Sequence, residues 1–489
     1  MSVTPRPKLT PRPTRVGLLE EAADRPLPLA LHDFALPCRR FVVEHKIAEV
    51  GKVSVTAEFL LRLVKNLGSC TEEEAASFFG YSRREMSYVL NEVESEDFVE
   101  RSNGRLTLTG TGNGLFSAGD DQPAIYEVEK KSVRVGFDLL SLAPQERSPL
   151  SLFEIKLPEL PVQDAKRVSD ATEHIPNSFR RFYSELAVRT DPATTPRRSL
   201  YSIDAVSAKE RFSAIVRVQV NSTGLRPTVG EVDLTDWRPD FELADREAIS
   251  MAAAKLVESL TVNARGDDGE AYDQLIELAP EFMKDFTRRD GLSVERFYRY
   301  AYASHGDVRS DRPTVPLLGS LFTLENARRF VDVIGYGLKR MQRPAQALFW
   351  VVPQVPLWGS CAVLPEILDR TVERLAAANA DMMTKKRIET AALTAVRPEK
   401  WIGEAFSNVF ASERRALPGG LELVLVPGAF VAAMVHAPIG AASGLAVPLG
   451  FTSFDPKVVA RATDLLRRTG KMFHLTETLL EDLEPMTIG

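Results

Sequence analysis

This chain of 489 residues has few cysteines, no paired histidines and no excess of positive charge, and each of these features excludes a class of protein. The three cysteines, Cys38, Cys70 and Cys361, lie too far apart for a disulfide framework or a CxxC zinc pattern. No two of the six histidines have the spacing of metal ligands, so we expect neither a metal centre nor a cofactor. The N-terminus lacks the apolar core of a signal peptide. These features predict a protein of the reducing cytoplasm.

Basic residues are outnumbered by acidic ones, which gives a net charge of −6 and a pI near 5.8. This balance predicts no general attraction to nucleic acid or to an anionic membrane. One long segment, 423–454, carries no formally charged side chain and has the length of a membrane-spanning helix. Proline and glycine interrupt it every few residues, which favours short buried strands joined by turns. We therefore expect no membrane partner.

The familiar catalytic motifs are missing as well. The sequence contains no GxxxxGK[ST], GxSxG or HExxH, and no GxGxxG follows a predicted strand. A GxGxG is present at Gly110, Gly112 and Gly114. Glycines at the start of a connection between two elements explain it more commonly than a catalytic motif does. The sequence thus leans against an enzyme.

A dense set of local signals is present between residues 53 and 116. The segment 56–67 has the apolar spacing of an amphipathic helix, and capping boxes that open at Thr71 and Ser82 predict two more helices. Two short strands follow, joined by Asn103 and Gly104, which tolerate the positive φ angles of a tight hairpin. The predicted order is three helices, with a sharp turn before the third, and then a hairpin.

This order resembles the winged helix-turn-helix superfamily, which includes small bacterial repressors. In that family the third helix enters the major groove and the hairpin lies along the phosphate backbone. The resemblance therefore implies DNA contacts from the third helix and the hairpin, through Arg83, Arg84, Ser87, Tyr88, Asn91, Arg101 and Arg105. It also implies a homodimer that binds two half-sites.

The charge of the same segment argues against strong DNA binding. Residues 53–116 contain six basic and ten acidic side chains, whereas non-specific affinity for DNA comes from cations that displace counterions. Four arginines could still form a local patch. A winged helix that contacts protein instead of DNA is the alternative interpretation.

The sequence predicts a multi-domain protein of mixed α+β and α/β class. Its expected parts are a disordered, proline- and arginine-rich tail at 1–35, the winged helix at 36–120, an α+β domain at 121–265 and an α/β domain at 266–489. The segment 36–50 fits either a strand or a short helix. In the third part, residues 211–220 alternate as a half-buried strand does, and 229–234 is a plausible partner strand.

The last part is the most apolar. The continuous run Ala347–Val352 is typical of a strand covered on both faces, and further short runs predict a mostly buried sheet. In open α/β sheets, ligands bind beyond the carboxyl ends of the strands. Trp358, in a loop with glycine, and His436 are therefore the candidate ligand-binding residues.

The segment around His436 weakly resembles the C-terminal half of phospholipase-D-superfamily domains. In those domains the histidine of an HxK motif is the nucleophile and the lysine holds phosphate oxygens. Here Pro438 stands at the position of the lysine and Ser443 lies near that of the acid, so the motif is degenerate. The resemblance implies either a weak catalytic candidate in His436 or an inactive domain for sensing or dimerisation. A histidine buried against a backbone carbonyl is the structural alternative.

The sequence as a whole favours a winged-helix DNA-binding regulator, or a DNA-recognising subunit, with a C-terminal sensing or oligomerisation domain. Two alternatives stay open. One is a phospholipase-D-like phosphodiesterase or nuclease, and the other is a scaffold or subunit of a multi-protein assembly, such as one for antiviral genome defence.

Overall fold

The computed structural model describes residues 26–49, 53–116, 123, 127–190, 198–224, 226–238, 246–304, 308–382, 387–395, 397–412 and 415–484. The most basic part of the predicted tail, residues 1–25, lies outside these ranges. Within them the protein is a mixed α/β molecule with several sheets. Their helices include none that is long and apolar enough to cross a membrane.

The first element, strand β1 (Pro26–Glu49), shows that the predicted tail is wrong for Pro26–Ala35. The strand pairs with β6 along most of its 24 residues, and Cys38–Glu49 also pair with β5 on the other side. It also accounts for the segment 36–49, which the sequence left open between strand and helix. At the start of the strand every second residue is a buried leucine: Leu27, Leu29 and Leu31. The density of proline obscured this period of two in the sequence.

After β1 the chain forms a module, Val53–Phe116, that has its own hydrophobic core. Its elements are α1 (Val55–Leu67), β2 (Cys70–Thr71), α2 (Glu72–Phe79), α3 (Arg83–Ser95), β3 (Val99–Ser102), β4 (Arg105–Leu108) and the short α4 (Gly110–Gly114). Both capping boxes form as predicted, opening at Thr71 and Ser82. Asn103 and Gly104 take φ angles of 50° and 73°, as the predicted hairpin requires. The glycines after the hairpin open α4.

The chain then returns to pair with β1. The strands are β5 (Glu127–Asp138), β6 (Arg198–Thr223) and β7 (Arg226–Asp233), and the helices between β5 and β6 are α5 (Leu152–Ile155), α6 (Ala165–Ser169) and α7 (Ala171–Thr190). The four-stranded antiparallel sheet has the order β5-β1-β6-β7. The predicted strand at 211–220 is part of β6, and its partner is the predicted segment near β7. Helix α7 packs on the half of the sheet nearer the module.

A set of short elements leads to the C-terminal sheet: α8 (Glu247–Glu258), β8 (Thr261–Asn263), α9 (Asp268–Leu278), α10 (Pro280–Met283), β9 (Thr287–Arg288), β10 (Gly291–Leu292) and α11 (Val294–Ala303). The strands of that sheet are β11 (Thr314–Leu318), β12 (Ala347–Val351), β13 (Glu389–Thr394), β14 (Asn408–Ala411), β15 (Leu421–Val426), β16 (Phe430–Ala437) and β18 (Val447–Ser453). They lie in the order β11-β18-β16-β15-β12-β13-β14. The uncharged segment 423–454 thus forms strands, as its prolines and glycines predicted.

Helices cover both faces of this sheet, which explains the continuous apolar runs. They are α12 (Leu324–Arg340), α13 (Val363–Asp381), α14 (Lys400–Ala405), α15 (Pro456–Gly470) and α16 (Glu477–Asp482). On β12, Phe349 faces the core shared with α9, α11 and α15, whereas Trp350 faces the core shared with α12 and α13. Every residue of β12, β15, β16 and β18 is buried, which confirms the prediction of a mostly buried sheet.

The predicted boundary at residue 265 falls inside one continuous core. The largest hydrophobic cluster reaches from Leu27 to Leu483 and includes side chains of the four-stranded sheet and of the seven-stranded sheet. Strand β17 (Ser443–Leu445) also pairs with β8, which precedes that boundary. The two sheets therefore share their packing.

The strand directions bring three loops to one edge of the seven-stranded sheet. Strand β15 is antiparallel to both β12 and β16, and β18 is antiparallel to both β16 and β11. Strands β11, β12 and β16 consequently run the same way, and the loops that follow them leave at the same edge. This edge positions the cavity described below.

Gly450 in β18 tests the packing of the seven-stranded sheet. A Cβ at this position would lie 2.0 Å from the carbonyl oxygen of Ala433 on the neighbouring β16. We expect Gly450→Ala to destabilise the protein by about 3 kcal/mol or more, because backbone would have to move in a buried sheet. Thermal denaturation and soluble yield measure the effect.

Gly403→Ala in α14 is the matched control, since nothing lies within 4 Å of its added Cβ. It should leave stability unchanged or slightly raised. Equal stability of the two variants would contradict the packing of β16 against β18.

Candidate functional site

The exposed face of α3 is the first candidate site. Met86, Leu90 and Val93 are buried and hold the helix in the core of the Val53–Phe116 module. The residues predicted to face DNA lie on the other side, and Arg83, Arg84, Tyr88 and Asn91 are exposed while Ser87 is half-buried. The structure thus brings these five side chains to one accessible helix face.

The hairpin places the two remaining arginines beside α3. Arg101 on β3 and Arg105 on β4 are both exposed. Arg105 donates from Nε to the Ser69 hydroxyl at 3.1 Å, so its guanidinium stays uncompensated by any described carboxylate. All seven predicted DNA-binding residues therefore lie in one module and reach solvent.

Acidic side chains of the module compensate part of this positive charge. Arg83 pairs with Glu73 at 2.8 Å, and this hydrogen bond raises the pKa of Arg83 and lowers that of Glu73. Arg101 pairs with Glu72 at 2.6 Å and also with Glu94. These acids lie on α2 and α3, and the sequence showed only their number. Within the described chain, Arg84 is the α3 arginine that makes no ion pair.

The second candidate site is a cavity of about 60 Å³ at the sheet edge where β11, β12 and β16 end. Both predicted ligand-binding residues, Trp358 and His436, line it. The opposite wall comes from β1, including His32. Sequence analysis predicted the edge and two residues, but it missed β1 because that segment was assigned to the tail.

A buried carboxylate orients His436. Its ring Nε2 lies 2.6 Å from Glu422 Oε2, and Trp350 Nε1 donates to the other carboxylate oxygen at 2.9 Å. Glu422 and His436 are 1% and 4% exposed. The tautomer that donates from Nε2 to this carboxylate leaves Nδ1 for other partners. The partner of the histidine is therefore a carboxylate and not the backbone carbonyl of the structural alternative.

The other wall of the cavity is joined to the loop after β12. Asp33 on β1 is fully buried and accepts from Arg217 Nε at 2.8 Å, from Arg217 Nη2 at 3.0 Å and from the Ala362 amide at 2.7 Å. His32 lies 2.9 Å from the Ser360 hydroxyl through Nδ1. These contacts fix the loop that carries Trp358.

Among the described residues, the lining lacks one feature that the phospholipase-D resemblance implies. It contains no lysine or arginine from any described residue, so nothing supplies the phosphate-holding charge that the phospholipase-D resemblance implies. The described residues also include no cluster of three or more side chains able to hold a metal ion. His436 can orient a bound molecule through hydrogen bonding.

Comparison with known proteins adds no relative to these observations. No protein-family model matches the chain, and no curated protein matches it significantly.

His32 makes the stability of this junction depend on pH. Burial lowers the pKa of His32 to about 4, against the weaker opposing effect of Asp33. As the pH falls, His32 in the unfolded chain therefore binds a proton first, near the unperturbed histidine pKa of about 6.5. The contribution of neutral, buried His32 to the free energy of unfolding is therefore complete above about pH 6.5, and it is lost as the pH falls toward 4. At pH 5 we expect a loss of about 2 kcal/mol relative to pH 8.

Urea unfolding followed by tryptophan fluorescence at both pH values measures this loss. All four tryptophans lie outside the Val53–Phe116 module, so the signal reports the rest of the protein. His32→Asn should reduce the pH dependence by about 2 kcal/mol. His474→Asn, at an exposed histidine, is the control. The same pH dependence in both variants would show that His32 titrates normally.

Proposed function

We propose that this protein is a DNA-binding regulator in which residues 53–116 act as a winged helix. The observation that carries the proposal is the exposed face of α3, with Arg84, Ser87, Tyr88 and Asn91 aligned and buried residues only on the opposite side. Among described residues, the hydrophobic core around α3 comes from the module alone. Nothing in the described chain therefore covers the face that a major groove would receive.

The proposed binding is selective for DNA sequence, and its general attraction to DNA is weak. Arg83 and Arg101 are compensated by carboxylates, so few free cations are available to displace counterions from the phosphate backbone. Arg84, Tyr88 and Asn91 offer contacts to base edges, where arginine pairs with guanine and asparagine with adenine. The remaining α/β part of the chain is proposed to sense a ligand and to assemble a homodimer.

A second candidate function is docking onto another protein. Val55 and Phe78 are 69% and 67% exposed. The Thr56 hydroxyl lies 3.3 Å from that of Tyr81, which brings the start of α1 and the end of α2 together. Exposed apolar side chains at one end of a module favour a protein contact. The DNA-binding measurements below distinguish the two functions, because docking onto protein needs no DNA affinity.

Arg84 is the first residue to test. We expect the full-length protein to enrich specific sequences from a random pool of duplex DNA, and Arg84→Ala to bind the enriched duplex about 5- to 100-fold more weakly. The reason is the loss of the one α3 arginine without an ion pair in the described chain. Fluorescence anisotropy with labelled duplex measures the dissociation constant.

The control for Arg84 is Arg296→Ala, which removes an exposed helical arginine on α11. It should leave affinity unchanged. An absence of sequence enrichment by the wild type, or equal affinities of the two variants, would remove the DNA-binding proposal and favour protein docking.

Glu73 should limit the affinity for DNA. Glu73→Gln removes a negative charge and frees Arg83, so we expect binding about 2- to 5-fold tighter at low salt and a steeper dependence on salt. A salt titration of the same anisotropy assay gives both quantities.

Glu295→Gln is the matched control for Glu73. It breaks an equally exposed ion pair with Arg299 on α11, at 2.6 Å, outside the module. If both glutamine variants bind DNA alike, the pairing of Glu73 with Arg83 does not govern access to DNA.

A further inference from the structure

A residue that lines the cavity at the sheet edge has a hydrogen-bond donor without an acceptor. Trp358 is 5% exposed, and its indole Nε1 is buried without a hydrogen-bond partner among the described residues. An indole N–H can only donate, and buried donors in native proteins are nearly always paired. Trp401, by contrast, donates its own Nε1 to the Trp358 carbonyl at 3.0 Å. The lone donor of Trp358 therefore calls for an acceptor from outside the chain.

His436 also lines this cavity. Its Nε2 lies 2.6 Å from Glu422 Oε2, and its Nδ1 has no hydrogen-bond partner among the described residues. A neutral imidazole with its proton on Nε2 presents a lone pair at Nδ1. The cavity thus offers one hydrogen-bond donor and one hydrogen-bond acceptor to a molecule inside it.

The rest of the lining excludes a charged molecule. It contains no aspartate, glutamate, lysine or arginine among the described residues, and apolar side chains such as Leu29, Leu260 and Leu445 supply most of it. His32 is neutral at pH 7, because burial lowers its pKa to about 4. An ion without a counter-charge in such surroundings would cost several kcal/mol of desolvation.

The volume limits the size of the occupant. The cavity of about 60 Å³ has room for about four to six water-sized groups. We propose that it is the binding site of a small neutral organic molecule with a polar head group that both accepts and donates hydrogen bonds, as a primary amide does, and a short branched apolar tail. The head group accepts from Trp358 and donates to His436, and the tail packs on the leucines.

The loop after β12 has a strained backbone, as loops at ligand-binding sites often do. Leu357 has a φ angle of 55°, a left-handed conformation that costs a leucine of order 1–2 kcal/mol. Asp33 holds this loop through the Ala362 amide, and His32 holds it through Ser360. Such strain persists only where the surroundings enforce it, and it is concentrated at binding sites.

The inference specifies the sensing part of the proposed function, and its test uses no DNA. The full-length protein is labelled with ¹⁵N at tryptophan, and each indole signal is assigned by a Trp→Phe variant. Isobutyramide is the probe. We expect a saturable shift of the Trp358 indole signal with a millimolar dissociation constant, since a molecule of this size makes few contacts. The signal of the distant Trp237 should not move.

Two charged probes with the same branched tail test the charge of the ligand. Isobutyrate and isobutylammonium should bind at least about 10-fold more weakly than isobutyramide, because each would enter the cavity as an ion. Equal binding of either ion, or a Trp358 signal that moves no more than that of Trp237, would overturn the proposal.

Two variants test the location. Trp358→Phe keeps the shape and removes the donor, so affinity should fall about 3- to 10-fold by calorimetry, whereas Trp237→Phe should leave it unchanged. Ala446→Leu fills the cavity and should abolish binding. Unchanged affinity in Trp358→Phe and Ala446→Leu would place the probe elsewhere. Loss of DNA binding in the Arg84 experiment would leave these results untouched, so the two proposals fail separately.

Discussion

The buried carboxylate of Asp33 holds the two sheets of this protein together. A buried charge is tolerated only when its hydrogen-bonding capacity is satisfied, and Asp33 uses Arg217 on β6 and the Ala362 amide at the end of the loop after β12. The neighbouring His32 contacts Ser360 in the same loop. The geometry of the cavity therefore depends on β1, because these contacts of β1 hold the loop that places Trp358 in the cavity with His436.

A different use of charge governs the Val53–Phe116 module. Its arginines lie where a winged helix would need them, yet Glu72, Glu73 and Glu94 neutralise two of them. Exposed ion pairs contribute little to stability, so their main effect is on the surface potential. In the proposed function, this pairing would reduce attraction to random DNA more than it reduces base-specific contacts, which act at short range. Low net attraction and selective recognition are thus compatible in one surface.

Local features of the sequence predicted local structure well. Capping boxes, the Asn103–Gly104 hairpin and the apolar runs each depend on residues close in the chain, and all are present. The first part of strand β1 was missed because its pairing partner lies far away in sequence, and prolines obscured its alternation. The polar contacts of the cavity were hidden for the same reason, since His32 and Ser360 are 328 positions apart. Pairing of Glu73 with Arg83 likewise needs the angle between α2 and α3, which spacing does not reveal.

The position of the module on β1 constrains how any signal could reach it. The cavity contacts the start of this strand, at Leu29–His32, and the module follows its last residue, Glu49. At about 3.3 Å per residue, the two ends lie roughly 55 Å apart along the strand. A ligand in the cavity therefore lies far along the strand from the module, and in the proposed function it would act on DNA binding indirectly. Coupling requires either a shift of β1 against β6, whose register is broken by several bulges, or a change in assembly of the protein.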